Sequence, residues 1–172
     1  MPKMLFSIVA LITLITTAQA SDHGLNTPLP GLKNYQVNNS KMVSSGLPTK
    51  NHFEKLKSLG VNKVVDLIPG DRSEQRSLMN SMQLTYHNIA VEWENPTLEN
   101  FQDYVAIMQQ YEQSDGVILT HCRLNWRGAV FTYLYQITHL KTPEEKAKQE
   151  MLAIWQPNET WQRFIDDVLA QY

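Results

Sequence analysis

The stretch VILTHCRLNWRGA, residues 117–129, decides the fold prediction because it joins an apolar strand to an apolar helix through a short loop. Asp115 and Gly116 form a turn before the strand, and residues 127–140 are apolar on almost every side, as is typical of a buried helix. The loop contains the single cysteine of the chain, Cys122. In α/β sheets, ligands bind beyond the carboxyl ends of the strands. The pattern therefore predicts a ligand site around Cys122.

The residue types of this loop indicate anion chemistry. The start of the following helix directs free N–H groups and the positive end of its dipole at the loop, which favours a thiolate and binds an oxyanion. Arg127 carries a planar guanidinium that matches two oxygens of a phosphate-like group. We predict a nucleophile at Cys122, a clamp at Arg127 and an anion-binding loop made of Arg123, Leu124, Asn125, Trp126 and Gly128. The alternative is a buried, inert cysteine, since free cysteine is among the most buried residue types.

The rest of the chain predicts strands alternating with helices. One or two strands lie within residues 35–43, and further strands span residues 61–68, 84–91 and 117–120. Helices follow the capping residues Thr49 and Thr97 and also cover residues 73–82, 127–140, about 142–156 and 159–170. This order predicts an α/β fold with a central, mainly parallel sheet flanked by helices.

The first 20 residues, MPKMLFSIVALITLITTAQA, match a secretory signal peptide. Lys3 supplies the positive start, and Ala18 and Ala20 frame a small-residue cleavage site. The alternative, a membrane anchor, needs an apolar run of roughly 20 residues, and this run is shorter. We expect a flexible lead-in at residues 21–33, a domain at residues 34–172, a periplasmic or secreted location and no membrane insertion after cleavage.

Composition excludes several classes of protein. The 172 residues are 42% hydrophobic and 19% charged, which is an ordinary globular balance. With a net charge of −2, the chain lacks the excess of basic residues that is typical of a nucleic-acid binder, so no nucleic-acid partner is expected. One cysteine excludes a disulfide framework, and the histidines show no metal-ligand spacing. We expect neither a metal nor another cofactor.

Three segments carry a family resemblance: SSGLPTKNHFEKLKSLGVNKVVDLIP (44–69), NIAVEWENPT (88–97) and HCRLNWRGA (121–129). Residues 35–137 resemble the dual-specificity phosphatase-like fold of the protein tyrosine phosphatase superfamily. More narrowly, they resemble the small bacterial phosphatase-like domain of beta-lactamase-hydrolase-like proteins. The resemblance implies a catalytic cysteine at Cys122 and a phosphate-binding Arg127. It also implies that His121 supports the loop from behind by hydrogen bonding.

The loop departs from the usual pattern of that superfamily. Four residues separate Cys122 from Arg127, where standard members have five, and Gly128 stands where they carry Ser or Thr. The usual Asp acid is also absent. Glu92 and Glu94 lie 30 and 28 residues before Cys122, and Glu92 matches the acid position better. Their alternative role is that of solvated loop charges.

Three functions follow. The first is a cysteine-dependent phosphatase acting on a phosphorylated small molecule or phosphoprotein, with Glu92 or Glu94 as acid. The second is a sulfurtransferase with a persulfide on Cys122 and a donor such as thiosulfate, because a four-residue gap also resembles the rhodanese loop. The third is a non-catalytic module that binds phosphate or another anion. Arg72 either adds positive charge near the pocket or is solvated.

Overall fold

A computed structural model describes residues 24–172, so the predicted signal peptide lies outside the described residues. The strands are β1 (Gln36–Asn39), β2 (Met42–Ser45), β3 (Val61–Asp66), β4 (Thr85–Asn88) and β5 (Val117–His121). The helices are α1 (Lys50–Ser58), α2 (Ser73–Ser81), α3 (Leu98–Gln110), α4 (Trp126–Thr138), α5 (Glu144–Leu152) and α6 (Glu159–Leu169). No helix within this range has the length and apolar character needed to cross a bilayer.

The five strands form one sheet in the order β1-β2-β5-β3-β4. The β1–β2 pair is antiparallel, and every other neighbouring pair is parallel. The expectation of a mainly parallel α/β sheet is therefore confirmed. The strand that delivers Cys122, β5, lies in the centre of the sheet, where both of its edges are paired.

Alternating side chains of the strands divide the core between the two faces of the sheet. On β3, Val64 belongs to one buried cluster and Val65 to the other, and Leu119 and Ile118 of β5 divide in the same way. Helices α1 and α2 cover the first face. Helices α3 to α6 cover the second face, which accounts for the apolar character of α4 on nearly all sides.

The predicted lead-in is part of the packed structure from residue 24 onward. Leu25, Leu29 and Leu32 are buried in the cluster that contains α1 and α2. The Tyr35 hydroxyl donates to the Leu25 carbonyl at 2.9 Å. Residues 24–33 were expected to be flexible because they are polar and rich in Pro and Gly, but their leucines find an apolar surface and pack on it.

The register of the sheet aligns four residues at its carboxyl edge. Ser45 pairs with His121, His121 with Asp66, and Asp66 with Asn88. The loops that follow these residues therefore leave the sheet side by side. This edge brings together the loop after β5 and the segment that contains Glu92 and Glu94.

Candidate active site

Cys122 follows the last residue of β5 and lines a cavity of about 270 Å³. The thiol-bearing residue is only 1% exposed, but it contributes to the cavity wall. The other lining residues are Trp93, Arg123, Leu124, Trp126 and Arg127. The structure thus brings the predicted nucleophile and the predicted clamp to one cavity. Asn125 and Gly128 do not line it; they are buried behind the loop.

The N-terminus of α4 is uncapped, and this leaves its first amides free. Asn125 is the N-cap residue, but its side chain makes no capping hydrogen bond. Within the described part of the chain, the N–H groups of Trp126, Arg127 and Gly128 donate to no protein acceptor. Unpaired N–H groups at the start of a helix bind anions, because the helix dipole adds to their partial charges. The amides therefore offer an oxyanion site next to Cys122.

The carbonyl groups of the same loop are held by hydrogen bonds from outside it. Leu47 N–H donates to the Arg123 carbonyl at 3.2 Å, and the Asn34 side-chain amide donates to the Leu124 carbonyl at 2.7 Å. The Asn125 carbonyl accepts from Ala129 N–H at 2.8 Å. These contacts fix the orientation of the loop's peptide units.

The guanidinium of Arg127 is oriented by neutral groups. Its Nε donates to the Val91 carbonyl at 2.9 Å, and its Cζ lies 5.3 Å from the centre of the Trp93 ring. No carboxylate forms an ion pair with Arg127 within residues 24–172. Arg127 is buried, and within the described residues its two terminal nitrogens make no hydrogen bond, so they are available to an incoming anion.

All four tryptophans of the chain form one cluster beside the cavity. The Trp93 ring lies 5.2–5.7 Å from the other three rings, and Trp126 stacks on Trp155 with an interplanar angle of 13°. The indole N–H of Trp155 donates to the Trp126 carbonyl, and that of Trp161 donates to the Trp93 carbonyl. The cluster fixes both apolar walls of the cavity. No local sequence pattern marks this cluster, because its members come from four separate segments.

Glu92 and Glu94 flank Trp93 and are both exposed. Neither lines the cavity that contains Cys122. Glu94 instead borders a separate depression next to Arg163 and Asp167. The side chain that this segment contributes to the cavity is Trp93, and an acid role for either glutamate stays a prediction.

A buried carboxylate that the sequence analysis did not single out lies behind the nucleophile. Asp66 accepts from Ile68 N–H at 2.9 Å, from Arg72 Nε at 2.8 Å and from the Tyr86 hydroxyl at 2.7 Å. Arg72 is therefore neither a pocket cation nor a solvated charge, because it pairs with Asp66. Burial and the adjacent Asp66 carboxylate raise the pKa of Tyr86, so its hydroxyl stays protonated and remains a donor.

His121 is fully buried next to this carboxylate. Its Nδ1 lies 3.8 Å from Asp66 Oδ1, beyond hydrogen-bonding distance, and neither ring nitrogen has a hydrogen-bond partner within the described residues. The ring packs edge-on against Phe53 with a centroid separation of 5.9 Å. The contact that the structure shows for the ring is this packing, and support of the loop by hydrogen bonding from His121 stays a prediction. Burial lowers the pKa of His121, and the Asp66 carboxylate opposes that shift.

Comparison with known proteins identifies the family. The crystal structure of a Shewanella putrefaciens protein described as "Putative phosphatase (DUF442)" matches with a TM-score of 0.73 and 31% sequence identity. The match covers 83% of this chain and 95% of that one. The chain belongs to the DUF442 family. The prediction of a hydrolase of the phosphatase class is confirmed at the level of this family.

More distant structures share the fold of this DUF442 protein. TpbA of P. aeruginosa matches with a TM-score of 0.65 and 19% identity over 80% of this chain and 90% of that one. The core catalytic domain of the PP-IP phosphatase SIW14 from S. cerevisiae matches with a TM-score of 0.66 and 16% identity, over 78% and 84% of the two chains. These matches confirm the expected cysteine-phosphatase-like fold. No family model and no curated protein matched the sequence.

Within residues 24–172, no group of three or more His, Cys, Asp or Glu side chains is arranged to hold a metal ion. The groups that the described residues bring to the cavity are the Cys122 thiol, the Arg127 guanidinium and the amides at the start of α4.

Proposed function

We propose that this chain hydrolyses phosphate monoesters through a phosphocysteine intermediate. The observation that carries the proposal is the convergence of three groups on one cavity: the Cys122 thiol, the unpaired end of the Arg127 guanidinium and the free amides at the start of α4. A nucleophile beside donors that bind the equatorial oxygens of a phosphoryl group is the arrangement that covalent phosphoryl transfer needs.

The proposed reaction has two steps. The Cys122 thiolate attacks phosphorus, the bond to the leaving oxygen breaks, and that oxygen takes a proton from Glu92 or Glu94. Water then attacks phosphorus and breaks the S–P bond. The carboxylate takes a proton from the water, inorganic phosphate leaves and the thiolate is restored. Arg127 and the amides balance the charge of the equatorial oxygens in both steps.

The substrate is proposed as a phosphorylated small molecule or phosphoprotein. Two related structures support a phosphorylated ligand: TpbA has been crystallised with phosphotyrosine, and SIW14 is a PP-IP phosphatase. In this chain, the walls of the cavity formed by Trp93, Leu124 and Trp126 are apolar. These walls would contact the apolar part of the ligand, while Arg127 and the amides at the start of α4 would bind its charged phosphate group.

Release of nitrophenol from nitrophenyl phosphate tests the proposal. Cys122→Ser should abolish release, and Arg127→Lys should lower kcat by about 100-fold or more, because a lysine cannot make the bidentate contact. Lys148→Ala, on the exposed face of α5, is the matched control and should behave as wild type. Equal release by wild type and Cys122→Ser would contradict the proposal.

The acid is tested separately with Glu92→Gln and Glu94→Gln, with the exposed Glu99→Gln as control. General acid catalysis is typically worth 10²–10⁴-fold, so one of the two variants should lose about 100-fold in kcat. The loss should be smaller for an ester whose leaving group needs no proton. If neither variant loses activity, the acid role of both glutamates is contradicted.

Sulfur transfer is the second candidate, and two observations favour it. The loop has four residues between Cys122 and Arg127, and neither Glu92 nor Glu94 lines the cavity. Sulfur transfer from a donor such as thiosulfate needs no leaving-group acid. The Cys122 thiolate would attack the outer sulfur of thiosulfate, the S–S bond of thiosulfate would break and sulfite would leave. The resulting persulfide should raise the intact mass by about 32 Da. Phosphate binding without turnover of either substrate would instead indicate an anion-binding module.

A periplasmic or secreted location is also proposed, on the basis of the leader-like residues 1–20. Expression of the full chain in a bacterium, followed by fractionation and N-terminal sequencing, tests it. The expected product begins near Ser21 and leaves the cytoplasm. A product retained in the cytoplasm with residues 1–20 attached would contradict the proposal.

A further inference from the structure

We infer that Asn125 is the positioning residue of the short loop between Cys122 and Arg127. Its side chain ties the loop to β2, and it occupies the volume that a side chain at position 128 would need. The inference rests on the proposed function only where it concerns phosphate, because its structural part is measurable without a ligand.

The conformation of Asn125 is unusual for an N-cap residue. Asn at this position normally accepts a hydrogen bond from an amide of the first helical turn. Here the residue adopts a left-handed backbone, with φ 64° and ψ 7°, and its side chain makes no capping bond. The side chain is fully buried. Asn tolerates this backbone region better than most residues, so the residue type fits the turn.

The side-chain amide of Asn125 is used to anchor the loop. Its Nδ2 donates to the Asn34 carbonyl at 2.8 Å and to Ser44 Oγ, in the buried part of β2, at 3.0 Å. Asn34 returns a hydrogen bond to the neighbouring Leu124 carbonyl at 2.7 Å. Neither asparagine lines the cavity, so the two hold the loop without filling the space for a ligand. The amides at the start of α4 therefore remain free for an anion.

The other end of the Asn125 side chain accounts for Gly128. Asn125 Oδ1 is buried without a hydrogen-bond partner within the described residues. A Cβ added to Gly128 would overlap with this oxygen. In its present rotamer, which its two hydrogen bonds hold, the Asn125 side chain therefore leaves no room for a side chain at position 128. Gly128 stands where standard members of the superfamily carry Ser or Thr, and in this loop the Asn125 side chain fills the space that the Cβ of such a residue would need.

A double-mutant cycle tests this exchange. The four proteins are wild type, Gly128→Ser, Asn125→Gly and the double variant. Glycine at position 125 keeps the positive φ without strain, so the cycle removes the side chain and not the turn. Gly128→Ser should lower the free energy of urea unfolding in the wild-type background. It should cost little in the Asn125→Gly background, where the space is open. The expected coupling is at least about tenfold in the folding equilibrium constant.

Phosphate affinity tests the positioning role. The dissociation constant of inorganic phosphate is measured by tryptophan fluorescence with each folded variant. Asn125→Gly should raise it about tenfold, the fold-change that corresponds to about 1.4 kcal/mol. Ser44→Ala leaves the loop sequence intact and should also raise the dissociation constant of phosphate. It should add no further increase in the Asn125→Gly background, because both substitutions remove the same hydrogen bond between Asn125 Nδ2 and Ser44 Oγ.

Two results would overturn the inference. One is an equal cost of Gly128→Ser in both backgrounds. The other is wild-type phosphate affinity in Asn125→Gly. If wild type itself does not bind phosphate, the proposed function fails. The double-mutant cycle measured by urea unfolding then tests, without any ligand, whether the Asn125 side chain excludes a side chain at position 128.

Discussion

Replacing Asp66 with Asn removes a buried negative charge from the carboxyl edge of the sheet. The Asp66 carboxylate accepts from Ile68 N–H through Oδ1 and from both Arg72 Nε and the Tyr86 hydroxyl through Oδ2. An Asn side chain has only one acceptor oxygen, so either the Ile68 N–H, or both Arg72 Nε and the Tyr86 hydroxyl, must lose their acceptor. The preserved side-chain volume isolates the electrostatic effect from packing.

The expected loss of unfolding free energy is about 3 kcal/mol. Hydrogen bonds to charged groups are worth about 1.5–3 kcal/mol each, and breaking one side of a buried ion pair costs about 3–5 kcal/mol. The lower end of that range applies because the Arg72 side chain is 17% exposed and regains part of its hydration. The measurement is urea unfolding at neutral pH, followed by tryptophan fluorescence and by circular dichroism.

Two controls make the result specific. Asp103→Asn changes an exposed carboxylate of α3 that makes no hydrogen bond or ion pair within the described residues, so it should leave the unfolding midpoint almost unchanged. Arg72→Met removes the partner charge, so Asp66→Asn should cost less in that background. A loss below about 1 kcal/mol, or an equal loss with and without the Arg72 side chain, would refute the reasoning.

Three further outcomes are expected. Burial lowers the pKa of His121 below its ordinary 6.5, so as the pH drops the imidazole of the unfolded chain is protonated before that of the folded chain, and the free energy of unfolding should fall below pH 6.5. His121→Gln should make this fall smaller between pH 7.5 and 5.5 in urea titrations. An unchanged fall in the variant would contradict the prediction. Thr97→Ala removes the cap of α3 and should cost about 1 kcal/mol of unfolding free energy, whereas Thr142→Ala, outside any cap contact, should cost less. Phosphate should change tryptophan emission, since Trp93 and Trp126 line the cavity, and Arg127→Ala should abolish the change; a response that survives would place the anion elsewhere.

The fold was accessible to sequence reasoning because its signals are local. Thr49 and Thr97 were predicted to cap helices, and both form capping boxes in the structure. The helix that begins after Thr97 ends at Gln110, with Tyr111 as its C-cap residue. The strand expected at residues 84–91 is shorter because β4 lies at the edge of the sheet and pairs on one side.

The site was predictable only where it is contiguous in sequence. Cys122 and Arg127 lie within one strand–loop–helix unit, and their spacing already indicates an anion site. The contacts that complete the site join distant segments: Asn125 bonds a carbonyl 91 residues away, and Asp66 meets Tyr86 across 20 residues. No periodic pattern marks such contacts. The glutamates were selected by distance along the chain, which carries no information on which side chain of the segment enters the cavity.

The bond from Asn34 to the Leu124 carbonyl crosses from the segment ahead of β1 to the cavity loop. The Lys33 carbonyl accepts from Gly46 N–H at 2.7 Å in the same region. Removal of residues 24–34 would therefore take away two contacts that hold the cavity loop and the end of β2, without changing any residue that lines the cavity. The geometry of the anion site would then depend on a segment that contributes no residue to it.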